Sequence, residues 1–289
     1  GICVERDAIS AAAADQAAIL SELDGVDEVA LLAHAHGRDC GVPTLAVGNS
    51  WELLRALDEL ESDLVIFHWG ILYDLFNAVP FVARERNAVV HFHNMTPPHL
   101  LGAADQERAE QGIRQMQLPA VADVPVWAVS GHNRDTLVTW GYDAADIRVV
   151  PIVATRALPA RPPRKQTDPL RLLTVGRLVP AKGTDVLVEA MATVVAQLDH
   201  PVTLVLAGSS DFSDPTFIDA LRDRIRRTKL GRVVRIKQDL DDAALGREYV
   251  RADVLVTPSL HEGLCVPVIE AYHAGLRVVG TDAGNLPYV

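Results

Sequence analysis

The sequence predicts an α/β protein built from two doubly wound parallel sheets, and three observations carry that reading. Short, wholly apolar runs alternate with amphipathic segments of helical period along most of the chain, the pattern of buried parallel strands joined by helices. A stretch rich in Pro, Arg and Lys interrupts the alternation near the middle. The chain has 289 residues, 49% hydrophobic and 22% charged, which is the size at which one core usually becomes two.

The first helix is expected at residues 8–23, which are Ala-rich with Ile9, Ala12, Ile19, Leu20 and Leu23 at near-helical spacing; an apolar run at 29–33 follows as a strand. Helices at 51–60 and 72–86 then alternate with strands at 64–67 and 88–92. Residues 103–117 are polar and less regular. A strand at 126–129, a helix at 133–140 and a strand at 147–150 complete the first half, with Asp135 and Gly141 placed to start and stop that helix.

Pro159, Arg161, Pro162, Pro163, Arg164 and Lys165 change the character of residues 151–169, where no apolar period survives. The reading is a first domain at 1–155, a linker at 156–169 and a second domain at 170–289. In the second domain, strands at 170–175, 202–207, 233–236, 254–257 and 276–280 alternate with helices at 185–198, 215–229, 242–250 and 267–274.

A net charge of −11 gives no long-range attraction for phosphate backbones or anionic lipid, so no nucleic-acid partner is expected. Cys3, Cys40 and Cys265 form no C-x-x-C pair. That argues against a disulfide framework or a thiolate zinc site and suits a reducing compartment; cytoplasm is the expected location. No stretch approaches the ~18 consecutive apolar residues that span a bilayer, and the first residues lack the basic-then-apolar order of a signal peptide. The segment 221–232 carries Arg222, Arg224, Arg226, Arg227, Lys229 and Arg232. It reads as a peripheral membrane contact or as a solvated helix face, and the interrupting Asp219 and Asp223 favour the second.

Chemistry concentrates in two segments. Residues 254–275, VLVTPSLHEGLCVPVIEAYHAG, read as buried strand, loop and helix, with Pro267 at the first helical position and Gly275 just past the end. The backbone N–H groups of Gly263, Leu264, Cys265 and Val266 then face the carboxyl edge of the sheet, where such folds take phosphates. Glu262 and Glu270 flank that point and suit hydroxyl donors around a phosphate; the plainer alternative is a loop charge and a solvated helix charge. Residues 172–183, LLTVGRLVPAKG, end a strand at Gly176 and place Arg177 and Lys182 on one loop. Two such cations neutralise a diphosphate without a divalent metal, or are simply surface charges. His91 and His93 share one strand face, but no third ligand is spaced to complete a metal site, and a packed histidine is the plainer reading. His34, His36 and Cys40 sit at a strand end and receive no role.

Together these residues resemble the retaining glycosyltransferases of the GT-B fold classified as family 4. The likeness is carried by VGRLVPAKG, RADVLVTPSL, EGLCVPVIEAYHAG with its Glu-x7-Glu spacing, and VVGTDAGNLPYV, over nearly all of the second half. In the first half VVHFHNMTPPHL and AVSGHNRDTLVTWGYDAADIRVVP carry it more loosely. The resemblance implies two Rossmann-like domains facing a cleft, with the C-terminal one incomplete. It implies transfer of a sugar from a nucleoside-diphosphate donor to a hydroxyl of a saccharide, lipid or small-molecule acceptor, with retention of configuration and with no metal or cofactor. Arg177 and Lys182 would grip the donor diphosphate beside Gly176 and the backbone of 263–266. Glu262 would hold the donor sugar, Glu270 the ribose, and His93 would lie against the donor sugar.

The sequence departs from the family pattern at several places. Glu5-Arg6-Asp7-Ala8 stands where a glycine-rich loop is usual, Cys265 where glycine is frequent, and Tyr288 where an acidic residue is common. Starting at Gly1 and stopping at Val289, the chain reads as a fragment. A non-catalytic nucleotide-sugar-binding domain and an epimerase or phosphorylase on the same architecture are the alternatives. A nicotinamide-dependent oxidoreductase is disfavoured, since no G-x-G-x-x-G follows a strand.

Overall fold

A computed structural model describes residues 2–4, 7–37, 39–153, 157–163, 165 and 167–289. Glu5, Arg6 and Arg164, on which parts of the reading above fall, lie outside the described residues. The chain divides into two compact units, Gly1–Val153 and Ala154–Val289.

In the first unit, β1 (Ile2–Cys3), α1 (Ala8–Ser21), β2 (Leu31–Ala33), β3 (Ala35–His36) and β4 (Thr44–Ala46) precede α2 (Ser50–Glu59) and β5 (Leu64–Trp69). A 3-10 turn, Asp74–Ala78, runs into α3 (Val79–Glu85), followed by β6 (Asn87–Phe92), α4 (Ala103–Gln115), α5 (Gln117–Val121), β7 (Val126–Ala128), α6 (Gly131–Thr139) and β8 (Ile147–Val149). Strands β5-β6-β7-β8 form one parallel sheet in sequence order, while β1 pairs with β3 and β2 with β4 in two separate parallel ribbons. Strands of two or three residues are too short to show a period, which is why only β2 among these four was expected.

Two further expectations are corrected. The polar segment 103–117 is helical, and its inner face is made of Ala109, Gly112, Ile113 and Met116. Gln115 is buried there and fully engaged: its Oε1 accepts from Trp69 Nε1 and the Tyr73 amide, and its Nε2 donates to Tyr73 O and Asn77 Oδ1. Helix α6 is capped by Ser130, whose Oγ accepts from the Asn133 amide at 3.1 Å; Asp135 instead pairs with Arg134. Gly141, at φ 98°, follows the helix end as expected. Cys3 and Cys40, far apart in sequence, bring their sulfurs to 3.2 Å in a small core with Ala14 and Ala33.

The second unit is β9 (Leu170–Val175), α7 (Thr184–Gln197), β10 (Val202–Gly208), α8 (Pro215–Arg227), β11 (Val234–Gln238), α9 (Asp242–Arg251), β12 (Val254–Thr257), α10 (Val266–His273) and β13 (Arg277–Gly280). All strands are parallel, in the order β11-β10-β9-β12-β13. Two cores flank this sheet. Leu187, Val188 and Met191 of α7 and Ile218, Leu221 and Ile225 of α8 pack with Leu204 and Leu206. Tyr249 of α9 and Val268 and Ala271 of α10 pack with Leu173, Ala207 and Leu255. Helices therefore cover both faces, as a doubly wound sheet requires. On α8, Arg222 pairs with Asp219, Arg226 with Asp223 and Arg224 with Glu189 of α7, the arrangement of a solvated helix face. Among the described residues, no helix is long and apolar enough to cross a membrane.

Gly183, between β9 and α7, has φ 61°, and a Cβ there would lie 2.2 Å from the carbonyl oxygen of Pro258. Gly183→Ala is expected to destabilise the protein by about 2–4 kcal/mol in urea unfolding. Gly231→Ala, where a Cβ would meet nothing within 4 Å, is expected to stay within about 1 kcal/mol of the parent.

Candidate functional site

Strand order in the second sheet reverses between β9 and β12, the kind of switch point at whose carboxyl edge doubly wound sheets take their ligands. Both chemistry-bearing segments leave the sheet there. Their backbones are tied together: the Leu260 amide donates to Ala181 O at 2.9 Å, and glycine at 183 permits the close approach to Pro258.

Lys182 Nζ lies 2.6 Å from Glu262 Oε1, and Ser259 Oγ donates to the same oxygen at 2.6 Å. The two charged side chains are 22% and 10% exposed, so the pair is largely out of water. Thr281, after β13, donates to Ser259 O, and the Asn285 amide donates to Glu262 O at 2.9 Å. Gly284, at φ 58°, is pressed against Glu262: a Cβ would sit 2.2 Å from its carbonyl oxygen. Three loops thus fix one carboxylate, and Glu262 is 8% exposed rather than a loop charge in water.

Glu270 is likewise not a solvated helix charge. It is 6% exposed, and Oε2 accepts from Tyr249 Oη at 2.5 Å, with Tyr249 fully buried. Helix α10 starts at Val266, so Pro267 is its second residue rather than its first. Cys265 caps it at φ 62°, ψ 67° with no side-chain cap hydrogen bond. That left-handed conformation is easiest for glycine, which gives the physical reason a cysteine here is unusual. Burial first, and then the Glu262 carboxylate, push the Cys265 thiol up to about 12, which favours the protonated thiol. The uncapped helix start is suited to an anion. Arg177, in the loop after Gly176, is exposed, and its guanidinium makes no ion pair among the described residues. The structure thus joins Lys182 to Glu262 directly, sets Cys265 within their electrostatic reach, and leaves Arg177 at the rim.

Tyr249 and Ser259 are the residues that the sequence reading missed here. Ser259 stands three residues before Glu262, while Tyr249 comes from a different helix and carries no local signal.

His93 belongs to the first unit, just beyond β6. Its Nε2 is 2.8 Å from His68 Nδ1, and His91 lies against both, with ring centroids 5.5 Å and 4.7 Å away. The third histidine that spacing could not supply comes from β5, whose His68 is in register with His91. Burial, reinforced by the neighbouring rings, lowers His68 to about 3 and holds His93 well below the ordinary imidazole value; burial also lowers His91. One nitrogen from each ring lies within 4.8 Å of the others, a geometry that can hold a metal ion.

Because the folded state keeps these rings neutral, the unfolded chain binds more protons below its imidazole pKa near 6.5. Stability is therefore full above about pH 6.5 and falls as pH drops below it, with a limiting slope of about 1.4 kcal/mol per pH unit for a ring that stays neutral, a window that for His68 reaches down to about 3. Urea unfolding between pH 7 and 5, in chelator-containing buffer, is expected to show this slope, and His68→Asn to flatten it.

Residues 159–289 match the family model described as Glycosyl transferases group 1. The chain is 29% identical over 266 residues to a D-inositol 3-phosphate glycosyltransferase of Kineococcus radiotolerans, covering 80% of this chain and 61% of the relative. It is 27% identical over 181 residues to an MMP alpha-(1->4)-mannosyltransferase of Mycolicibacterium hassiacum, covering 62% and 42%. The chain thus spans about three-fifths of the curated relative it matches at greatest length of the two. Among solved structures, it is similar to Anabaena Alr3699/HepE in complex with UDP and glucose, with TM-score 0.74, 17% identity and coverage of 98% of this chain and 80% of that one. Sucrose-phosphate synthase from Thermosynechococcus elongatus gives TM-score 0.73 at 17% identity, with coverage of 96% and 75%. By these likenesses the chain carries the GT-B fold, two Rossmann-like α/β units, and its second unit is the part matched by the glycosyl transferases group 1.

Proposed function

We propose that the chain is part of a retaining glycosyltransferase whose second unit binds a nucleoside-diphosphate sugar at the crevice between β9 and β12. The observation that carries this reading is the Lys182–Glu262–Ser259 cluster, a nearly buried charge pair at the sheet's switch point. A buried ion pair is a poor device for stability, since apolar residues of similar volume often serve as well or better. At a phosphate-binding edge it has a different use. An ammonium carries three donors, so Lys182 keeps one on Glu262 and offers the others to diphosphate oxygens. Arg177 adds a second cation, and the start of α10 adds backbone dipoles. These charges stabilise the leaving diphosphate without a divalent ion. Glu262 accepts hydrogen bonds from the donor sugar and Glu270 from the ribose. His93 enters this reading on the family resemblance alone.

In this scheme the acceptor hydroxyl attacks from the face that the diphosphate leaves, and a phosphate oxygen takes its proton. Glu262 and Glu270 position the donor; they are not the opposed acid and nucleophile of a glycosidase. The UDP complex of the Anabaena neighbour supports UDP as the first nucleotide to test, and the relatives' name supports D-inositol 3-phosphate as the first acceptor.

Nucleoside diphosphates are expected to raise the melting temperature of the chain, with Lys182→Ala and Glu270→Ala each removing most of the shift. In a transfer assay on the full-length protein, each variant is expected to lose about tenfold or more in rate, the worth of one charge-assisted hydrogen bond. Equal rates in both variants and the parent overturn these assignments, and binding without transfer or donor hydrolysis favours a non-catalytic binding protein.

A further inference from the structure

We infer that His68, His91 and His93 form a binding site for one transition-metal ion of the zinc class, at the carboxyl ends of β5 and β6. His68 and His91 are register partners on adjacent parallel strands, and His93 lies two residues beyond His91. One nitrogen from each of the three rings lies within 4.8 Å of the other two. His91 is 2% exposed, and its Nε2 is 3.0 Å from the carbonyl oxygen of Val150. A carbonyl only accepts, so Nε2 holds the ring hydrogen and Nδ1 is left as a lone pair. That Nδ1 is buried and has no hydrogen-bond partner among the described residues. A hydrogen bond from the far ring nitrogen to a backbone carbonyl is how metal-binding histidines are usually oriented.

The other two rings supply the remaining ligands. His68 Nδ1 and His93 Nε2, 2.8 Å apart, share a single proton. Two nitrogens bound tetrahedrally at about 2.0–2.1 Å from zinc stand about 3.3 Å apart, so an opening of about half an ångström lets an ion replace that proton. The displaced proton moves to the outer nitrogen of the ring that held it, and all three ligands remain neutral imidazoles. The backbone on both strands is anchored: Tyr73 Oη donates to His68 O at 3.1 Å, and the His93 amide donates to Trp69 O at 2.7 Å. An all-imidazole set suits Zn2+, Cu2+ or Ni2+ rather than Mg2+ or Ca2+, and three ligands leave a fourth position for water. The ion pins the ends of two neighbouring strands. His93 is shared with the glycosyltransferase reading, where it rests on the family resemblance, but metal binding is read without any sugar donor, so either reading can fail without the other.

Untagged protein stripped with a chelator is titrated with Zn2+ against a chromophoric competitor. One equivalent is expected to bind, with His68→Asn and His91→Asn each weakening it by about tenfold or more. His273→Asn, on an exposed helix position, is expected to bind as the parent does. Co2+ added to the parent is expected to give the intense visible band of a four-coordinate site, a readout that survives even if a variant fails to fold. Unchanged binding in His91→Asn, loss in His273→Asn, or the pale spectrum of six-coordinate Co2+ overturns the proposal.

Discussion

The contact between the Lys182 ammonium and the Glu262 carboxylate joins two loops 80 residues apart in sequence, and much of the second unit's carboxyl edge is arranged around it. Neither charge can leave its partner without stranding the other in a nearly dry place. The loops must therefore run close enough for the Leu260 amide to reach Ala181 O, and that closeness is what demands glycine at 183. Ser259 and Thr281 add neutral donors around the same point, so the pair sits in a polar nest roofed by backbone. The switch point of the sheet supplies the gap in which such a nest forms.

Helix α10 is bound into the same arrangement at both of its turns. Its start is shaped by Cys265 in a left-handed conformation, and its next turn carries Glu270 inward to Tyr249 of α9. The carboxylate that looks solvent-facing from helical spacing is thus drawn into the core between two helices. A tyrosine hydroxyl is a suitable partner there, since it delivers a donor while its ring fills apolar space.

The second unit is readable because each of its strands is an apolar-rich run of four to seven residues separated by helices of clear period, although the edge strand β13 is largely exposed. Lys182, Glu262 and Glu270 stand out as candidates from the strand-loop-helix segments that carry them, but the contact of Lys182 with Glu262 and the inward turn of Glu270 to Tyr249 are not visible in spacing. The first unit was read less well for physical reasons. Its ribbons β1–β3 and β2–β4 are too short for a pattern, and α4 buries Gly112 and Ala109 where a pattern search looks for large apolar side chains. Helix α6 begins two residues earlier than its apolar period indicates, so Asp135 falls beyond the first turn and the start is capped by Ser130 instead. His68 was invisible because the ladder that sets it beside His91 pairs residues 23 positions apart, and sequence spacing along one strand cannot report a neighbour on another.

The Gly284 turn, seated against the Glu262 backbone, makes two connections of the second unit interdependent in length. An insertion between β12 and α10 would lift the carboxylate away from its seat unless the segment after β13 grew to follow it. These loops are therefore expected to vary together rather than singly when such a chain is re-engineered for a bulkier ligand, with the glycine as the hinge pin that both must share.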